Sequence, residues 1–132
     1  MAIDWSFAGI AAFGEELAAL VWPTVGLGHA PIDWLAPLDR TTFGPYLEGL
    51  REGGWQGNPR LVRYIYCAAL YLRYVIGVFG EFAGIFDDAF RPIYEQDFGM
   101  SAEEIMDFLG SLNKFSTLMG DEALSLYNEF KG

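Results

Sequence analysis

One carboxylate among aromatic side chains is the strongest candidate for chemistry in this sequence. Asp4 lies between the apolar Ile3 and the aromatic Trp5, and Phe7 follows shortly after. Burying a carboxylate at the end of a short apolar strand is costly unless something compensates its charge. A divalent cation would do so, since Mg²⁺ prefers oxygen ligands of this kind. A cap on the following loop is the other role open to Asp4, and the residue types alone leave both open.

The remaining reactive side chains give weaker signals. His29 and Cys67 are the only residues of their types, so an internal disulfide and a Cys/His zinc site are excluded. His29 lies in a loop rich in glycine and proline, which favours an ordinary loop histidine. Cys67 lies between Tyr66 and Ala68, and this setting predicts a small buried hydrophobic side chain.

Composition predicts one helical domain over residues 1–132 that binds neither nucleic acid nor membranes. Apolar residues make up 52% of the 132 residues, which is ample material for a core, and the formal charge is −10. This charge provides no electrostatic attraction for nucleic acid or anionic lipid. The nearest approach to a membrane span, Tyr64 to Gly80, contains Arg73, which would cost about 2.5–3.5 kcal/mol at the bilayer centre. We therefore expect a buried helix of a cytoplasmic protein.

Apolar periodicity and capping signals predict a mainly α fold with at most a short strand over Met1–Asp4. Asn58 followed by Pro59 is typical of a helix start, and Ser101 with Glu104 forms a capping box. Proline and glycine are expected to separate the helices. The predicted helices span approximately 14–21, 41–52, 59–79, 81–94, 101–109 and 112–130, with one short turn at 32–35.

Two segments resemble one known family of enzymes. The first reads Ile3-Asp4-Trp5-x-Phe7-Ala8-Gly9-Ile10, with Glu16-Leu17-Ala18 in the helix that follows. The second runs from Tyr46-Leu47-x-Gly49-Leu50-Arg51 to Asn58-Pro59-Arg60-Leu61-Val62-Arg63. Together they are similar to the C-terminal part of the aminoglycoside phosphotransferase and choline-kinase-like families. The resemblance implies a helical subdomain of a protein-kinase-like fold, with Asp4 as the ligand of the Mg²⁺ that accompanies ATP.

The parts that such enzymes use for catalysis are not recognisable in this sequence. Phosphoryl transfer of this type needs a Gly-rich loop, a strand lysine and a catalytic Asp followed five residues later by Asn. Lys114 and Lys131 are the only lysines, and no asparagine has an Asp five residues before it. We therefore expect no catalytic or nucleotide-binding residue here, and Asp4 as the sole metal ligand. The chain looks like the C-terminal portion of an enzyme whose N-terminal lobe is missing.

Three functions follow as hypotheses. The first is the acceptor-binding helical part of a small-molecule phosphotransferase, inactive alone, with a hydroxylated or cationic acceptor. The second is a helical interaction protein that forms a homodimer, because a missing lobe would leave apolar surface uncovered. The third is a helical bundle, unrelated to kinases, that binds a small ligand in an apolar pocket.

Overall fold

The protein is mainly helical in the computed structural model, which describes residues 11–132. Five α-helices and one short 3₁₀-helix (Ile32–Trp34) make up the secondary structure of these residues, and no strand occurs among them. The α-helices are α1 (Glu15–Gly26), α2 (Leu35–Glu52), α3 (Pro59–Phe86), α4 (Arg91–Phe98) and α5 (Ala102–Lys131). The mainly α prediction is confirmed, whereas the strand predicted over Met1–Asp4 lies outside the described residues.

The two longest helices, α3 and α5, run antiparallel and form the centre of the fold. Near one end of the pair Arg60 of α3 bonds Glu129 of α5, and further along Tyr71 of α3 lies against Gly120 of α5. A Cβ atom at position 120 would come within 2.8 Å of the Tyr71 ring. Gly120 therefore allows the ring to pack directly against the α5 backbone.

The first two helices cover one face of this pair and complete the core. Side chains of α1, α3 and α5 make up most of the core, and α2 adds Leu35. The backbone enters α1 through Gly14, which has a φ of 106° and lies against the Val62 carbonyl of α3. The fully buried members of the core include Ala18, Val25, Tyr66, Cys67, Leu70, Val78, Ile105 and Leu112.

Two predicted helix starts, those of α3 and α5, are confirmed in the structure. The Asn58 side chain accepts a hydrogen bond from the Arg60 amide at 2.9 Å, and Pro59 opens α3. At α5, the Ser101 hydroxyl accepts from the Glu104 amide at 3.3 Å, while the Glu104 carboxylate accepts from the Ser101 amide at 2.8 Å. These reciprocal bonds satisfy amides that the first turn leaves free, so local sequence determines both starts.

Several predicted helix boundaries are wrong because proline and glycine do not end the helices. Pro23 lies inside α1, where burial of Trp22 and Val25 on either side of it offsets a cost of about 3 kcal/mol. The break predicted at Gly80 or Gly84 is absent, and α3 continues through both glycines to Phe86. The predicted helices 101–109 and 112–130 form the single helix α5, in which Gly110 is internal. An interior glycine costs only about 1 kcal/mol relative to alanine, so packing outweighs it.

The remaining corrections concern the start of α2 and the segment before α5. α2 begins at Leu35 instead of near Thr41, with Pro45 in its interior. The predicted helix 81–94 does not form as one element. Instead the chain turns after Phe86 and restarts as α4, with Pro92 in its first turn.

The expectation that α3 is buried on all sides is also wrong. Within its most apolar eighteen-residue window, only 17% of the residues are buried. By length and composition alone, α3 is the one helix among residues 11–132 that could cross a membrane, which is weak evidence on its own. One face of α3 packs on α1 and α5, and the opposite face presents large apolar side chains to solvent.

Candidate functional site

A cavity of about 410 Å³ lies between α1, α3, α4 and α5. Its size is within the range of sites that hold small molecules. Most of its lining is aromatic or aliphatic, with two carboxylates and no basic side chain. The lining residues are Trp22, Gly26, Leu27, Gly28, Glu81, Asp97, Phe98, Met100, Phe108, Leu109 and Leu112.

Trp22 forms a fixed wall of this pocket. Its ring stacks on Tyr74 of α3 with centroids 4.4 Å apart and planes 5° from parallel. Its indole N–H donates to the hydroxyl of Ser116, a fully buried residue of α5, at 3.2 Å. A Cβ at position 26 would come within 2.3 Å of the indole, so Gly26 provides the space that the ring occupies. Three helices thus hold the indole in one orientation.

Aromatic side chains of α4 and α5 form a second wall. Phe98 meets Phe108 edge to face, with centroids 6.0 Å apart and planes at 62°. Phe98 also stacks near Tyr94, which lies against α3 at Gly84, where a Cβ would come within 2.3 Å of the Tyr94 ring. α4 is only eight residues long. Its position therefore depends on these aromatic contacts with α3 and α5. Phe98 and Asp97 are therefore placed beside the cavity by packing.

The two carboxylates of the lining give the pocket a negative character. Glu81 of α3 is partly buried and Asp97 of α4 is exposed, so they lie at different depths. Burial, together with the negative charge of Glu81, raises the pKa of Tyr94. The lining of the pocket therefore combines aromatic side chains with two carboxylates.

A second polar cluster surrounds Arg63 and joins three helices. The guanidinium donates two hydrogen bonds to Asp39 of α2, one of which is 3.1 Å long. It donates two more to Glu122 of α5, which are 2.6 and 2.7 Å long. It also lies over the rings of Phe43 and Tyr66, 5.2 Å from each centroid. Burial disfavours its charge, yet hydrogen bonds with Glu122 and Asp39 outweigh this and raise the Arg63 pKa. Because each of the three guanidinium nitrogens bonds a carboxylate, the cluster is a structural clamp.

A third polar contact fixes the start of α1. The Tyr46 hydroxyl accepts from the Gly14 amide at 3.0 Å and donates to the Glu16 carboxylate. Burial, followed by the hydrogen bond to Glu16, raises the pKa of Tyr46 to about 12. Leu17 and Ala18, the other residues of the Glu-Leu-Ala motif, are buried in the core. In the structure this motif packs and orients α1.

The residues predicted from sequence as candidates for chemistry do not come together. Asp4, the predicted Mg²⁺ ligand, lies outside the described residues, and residues 11–132 contain no cluster of three metal-ligating side chains. His29 is exposed in the loop after α1. Cys67 is fully buried, as predicted, and burial raises its pKa to about 12. A thiol that keeps its proton is a poor nucleophile.

Sequence reasoning missed the pocket residues Glu81 and Asp97. They are sixteen positions apart on different helices, and neither belongs to a motif that places it near Trp22. The only local signal was the presence of single acids among aromatic residues.

Comparison with known proteins identifies no relative: the chain matches no family model, no curated protein and no solved structure.

Proposed function

We propose that the protein binds a small organic cation with an apolar body in the pocket beside Trp22. The observation that carries this proposal is the combination of Trp22, Phe98 and Phe108 with the carboxylates of Glu81 and Asp97 around one cavity of about 410 Å³. Aromatic rings attract cations over their faces, and weakly hydrated quaternary ammonium groups are commonly recognised in this way. Carboxylates at the rim add attraction for the same charge.

The negative surroundings also select against anionic ligands. No Lys, Arg or His is among the residues that line the cavity, while the chain as a whole carries a charge of −10. A phosphate or carboxylate ligand would find no cationic partner in this lining. The ligand class that fits best is therefore an ammonium compound with methyl or methylene groups for the aromatic wall.

This pocket suits the acceptor role that the phosphotransferase resemblance implies. We propose that the chain corresponds to the acceptor-binding helical part of such an enzyme, within a kinase-like fold. A hydroxylated ammonium acceptor would bind in the pocket, and Asp4 would supply a ligand to Mg²⁺ when ATP is present. The support for this link is the resemblance of the two sequence segments and the composition of the pocket.

Choline and its neutral carbon analogue, in which a carbon atom replaces the ammonium nitrogen, are matched probes for the proposal. The two have the same shape and hydroxyl group and differ in charge. Isothermal titration calorimetry should show choline binding more tightly by about tenfold, which corresponds to ~1.4 kcal/mol. Equal affinity for both probes, or no binding of choline, would overturn the proposal.

Variants of the acids locate the binding site. Asp97→Asn removes one charge from the rim and should weaken choline binding about tenfold, while affinity for the neutral analogue stays the same. Asp121→Asn on α5 removes the same charge from an exposed acid outside the pocket lining and serves as the control. If both variants weaken binding equally, the attraction comes from overall charge and the pocket is not the site.

A further inference from the structure

The outer face of α3 carries an apolar stripe that no other described element covers. The stripe consists of Leu72, Ile76, Phe79, Ala83 and Phe86, whose spacing alternates between four and three residues. The four large side chains are 64%, 73%, 60% and 70% exposed, respectively. This spacing is the heptad pattern by which one helix packs along another. The stripe lies opposite the α3 face that contributes Leu70, Val78 and Ile85 to the core.

A shallow groove of about 240 Å³ opens beside one end of the stripe, between α3 and α5. Its lining is almost entirely apolar, and Leu72 belongs to both the groove and the stripe. The lining residues are Tyr64, Ala68, Tyr71, Leu72, Gly120, Ala123, Leu124 and Tyr127. The other end of the stripe has protruding rings instead, since Phe86 and the nearby Phe90 are 70% and 54% exposed. The two ends are thus complementary in shape.

We propose that the α3 stripe is the interface of a homodimer in which the two copies of α3 pack antiparallel. In this arrangement the two-fold axis passes near Phe79. Leu72 and Phe86 are equally far from that point along the helix, so Phe86 of each copy meets Leu72 of the other. With a rise of about 1.5 Å per residue, the two ends are roughly 21 Å apart. Each copy therefore brings its protruding rings to the groove of the other.

Charges beside the stripe favour the antiparallel direction. Arg73 and Asp87 each directly follow an apolar position on the same side of the stripe. Arg73 lies within α3, whereas Asp87 caps the C-terminus of α3 and accepts a hydrogen bond from the Ala89 amide at 2.8 Å. In an antiparallel pair such positions face each other across the interface, so Arg73 of one copy meets Asp87 of the other. In a parallel pair they would face the positions of Ala68 and Phe82, which carry no charge. Arg73 remains 51% exposed although it bonds Glu15 at 2.9 Å.

The exposed area is sufficient for a specific dimer. If a large apolar side chain presents roughly 200 Å² when fully exposed, the four large residues expose about 500 Å² per copy. Two copies would bury about 1,000 Å² from these residues alone, which reaches the size expected of a biological interface. The groove residues Leu124 and Tyr127, exposed by 59% and 39%, add to this area.

Sedimentation equilibrium over a concentration series tests the proposal. The wild type should show twice the chain mass of 14.7 kDa. Ile76→Glu should raise the dimer dissociation constant at least about thirtyfold, the effect of an interface hot spot. Leu118→Glu on α5, at a similarly exposed position (58%), is the matched control and should leave the dimer intact. Circular dichroism should show the same helicity for both variants, because neither side chain is in the core.

Charge reversal tests the direction of packing. Arg73→Asp and Asp87→Arg should each weaken the dimer, and the two changes combined should restore it, since the reversed pair forms across the interface. A failure of the double variant to recover would overturn the antiparallel arrangement. A wild type that stays monomeric at every concentration would overturn the dimer itself. Flotation of such a monomer with phosphatidylcholine vesicles, lost in Ile76→Glu, would assign the stripe to lipid instead.

Discussion

Two arginines of α3 allow the stability contribution of a partly buried ion pair to be measured against that of an exposed one in the same protein. Arg63 and Arg60 are one helical turn apart, and each bonds a glutamate of α5. The Arg63 side chain is 17% exposed, and that of its partner Asp39 is 13% exposed. In the exposed pair, the corresponding values are 57% for Arg60 and 46% for Glu129. Both are arginine–carboxylate pairs, and they differ in how much of their side chains is exposed to solvent.

We expect Asp39→Asn to destabilise the fold far more than Glu129→Gln. Removing one member of a buried pair costs about 3–5 kcal/mol when the other charge is left uncompensated. Glu122 still pairs with Arg63 in this variant, so the expected loss is about 2–3 kcal/mol. Glu129→Gln should cost at most about 1 kcal/mol, because solvent screens the exposed pair. Glu122→Gln should lie between them, since the Glu122 side chain is 40% exposed.

Urea unfolding followed by far-ultraviolet circular dichroism measures these differences, with all variants at one protein concentration so that self-association does not affect the comparison. The slope of free energy against urea should stay constant while the midpoint shifts. Equal losses for Asp39→Asn and Glu129→Gln would refute the argument that burial determines the value of these pairs.

The remaining predictions concern a strained glycine, two titrating groups and the proposed metal ligand. Gly14→Ala should lower the free energy of unfolding by more than about 1 kcal/mol, because φ is 106° and a Cβ would lie 2.6 Å from the Val62 carbonyl; an unchanged urea midpoint would contradict this. Burial raises the pKa of Cys67 from 9.0 to about 12, so stability should fall as pH rises above 9, where only the unfolded thiol loses its proton. Cys67→Ala should make this alkaline decline shallower, the remainder coming from tyrosines such as Tyr46 whose pKa values are also raised. A decline of the same size in the variant would refute the assignment. Hydrogen bonds from Arg63 lower the pKa of Glu122 from 4.5. The stability that the Glu122 carboxylate contributes should therefore be complete above about pH 4.5 and lost as pH falls through the lowered pKa. Glu122→Gln should reduce the acid dependence of the urea midpoint, and an unchanged acid dependence in this variant would contradict the prediction. Finally, the chain alone should not phosphorylate choline with ATP and Mg²⁺, and Asp4→Ala should leave choline affinity unchanged; phosphorylation that Asp4→Ala abolishes would overturn this expectation.

Local signals in the sequence predicted where helices begin better than where they end. Asn58 and Ser101 make their hydrogen bonds to amides two or three residues away, so the residues that decide these starts are adjacent in sequence. The continuation of a helix through Pro23 or Gly80 depends on packing against helices that are distant in sequence. Propensity therefore predicted breaks that tertiary contacts prevent.

The pocket could not be predicted from sequence because its parts come from four helices. Trp22, Glu81 and Asp97 belong to α1, α3 and α4, and no spacing rule links them. Their meeting depends on contacts such as that of Tyr94 with Gly84, which only the folded chain shows. The same is true of the α3 stripe: its heptad spacing is visible in the sequence, but its exposure is known only when the positions of α1 and α5 are known.

The hydrogen bond between Trp22 and Ser116 has a consequence for the order of events during synthesis. It joins residues 94 positions apart, and both side chains are buried. While the ribosome is still making α3, the indole N–H of Trp22 cannot make this bond, because α5 does not yet exist. The wall that the indole forms can therefore become rigid only after translation has passed residue 116. A nascent chain arrested before this point would have α1 and α3 without a finished binding site, so ligand cannot assist folding until α5 has been made.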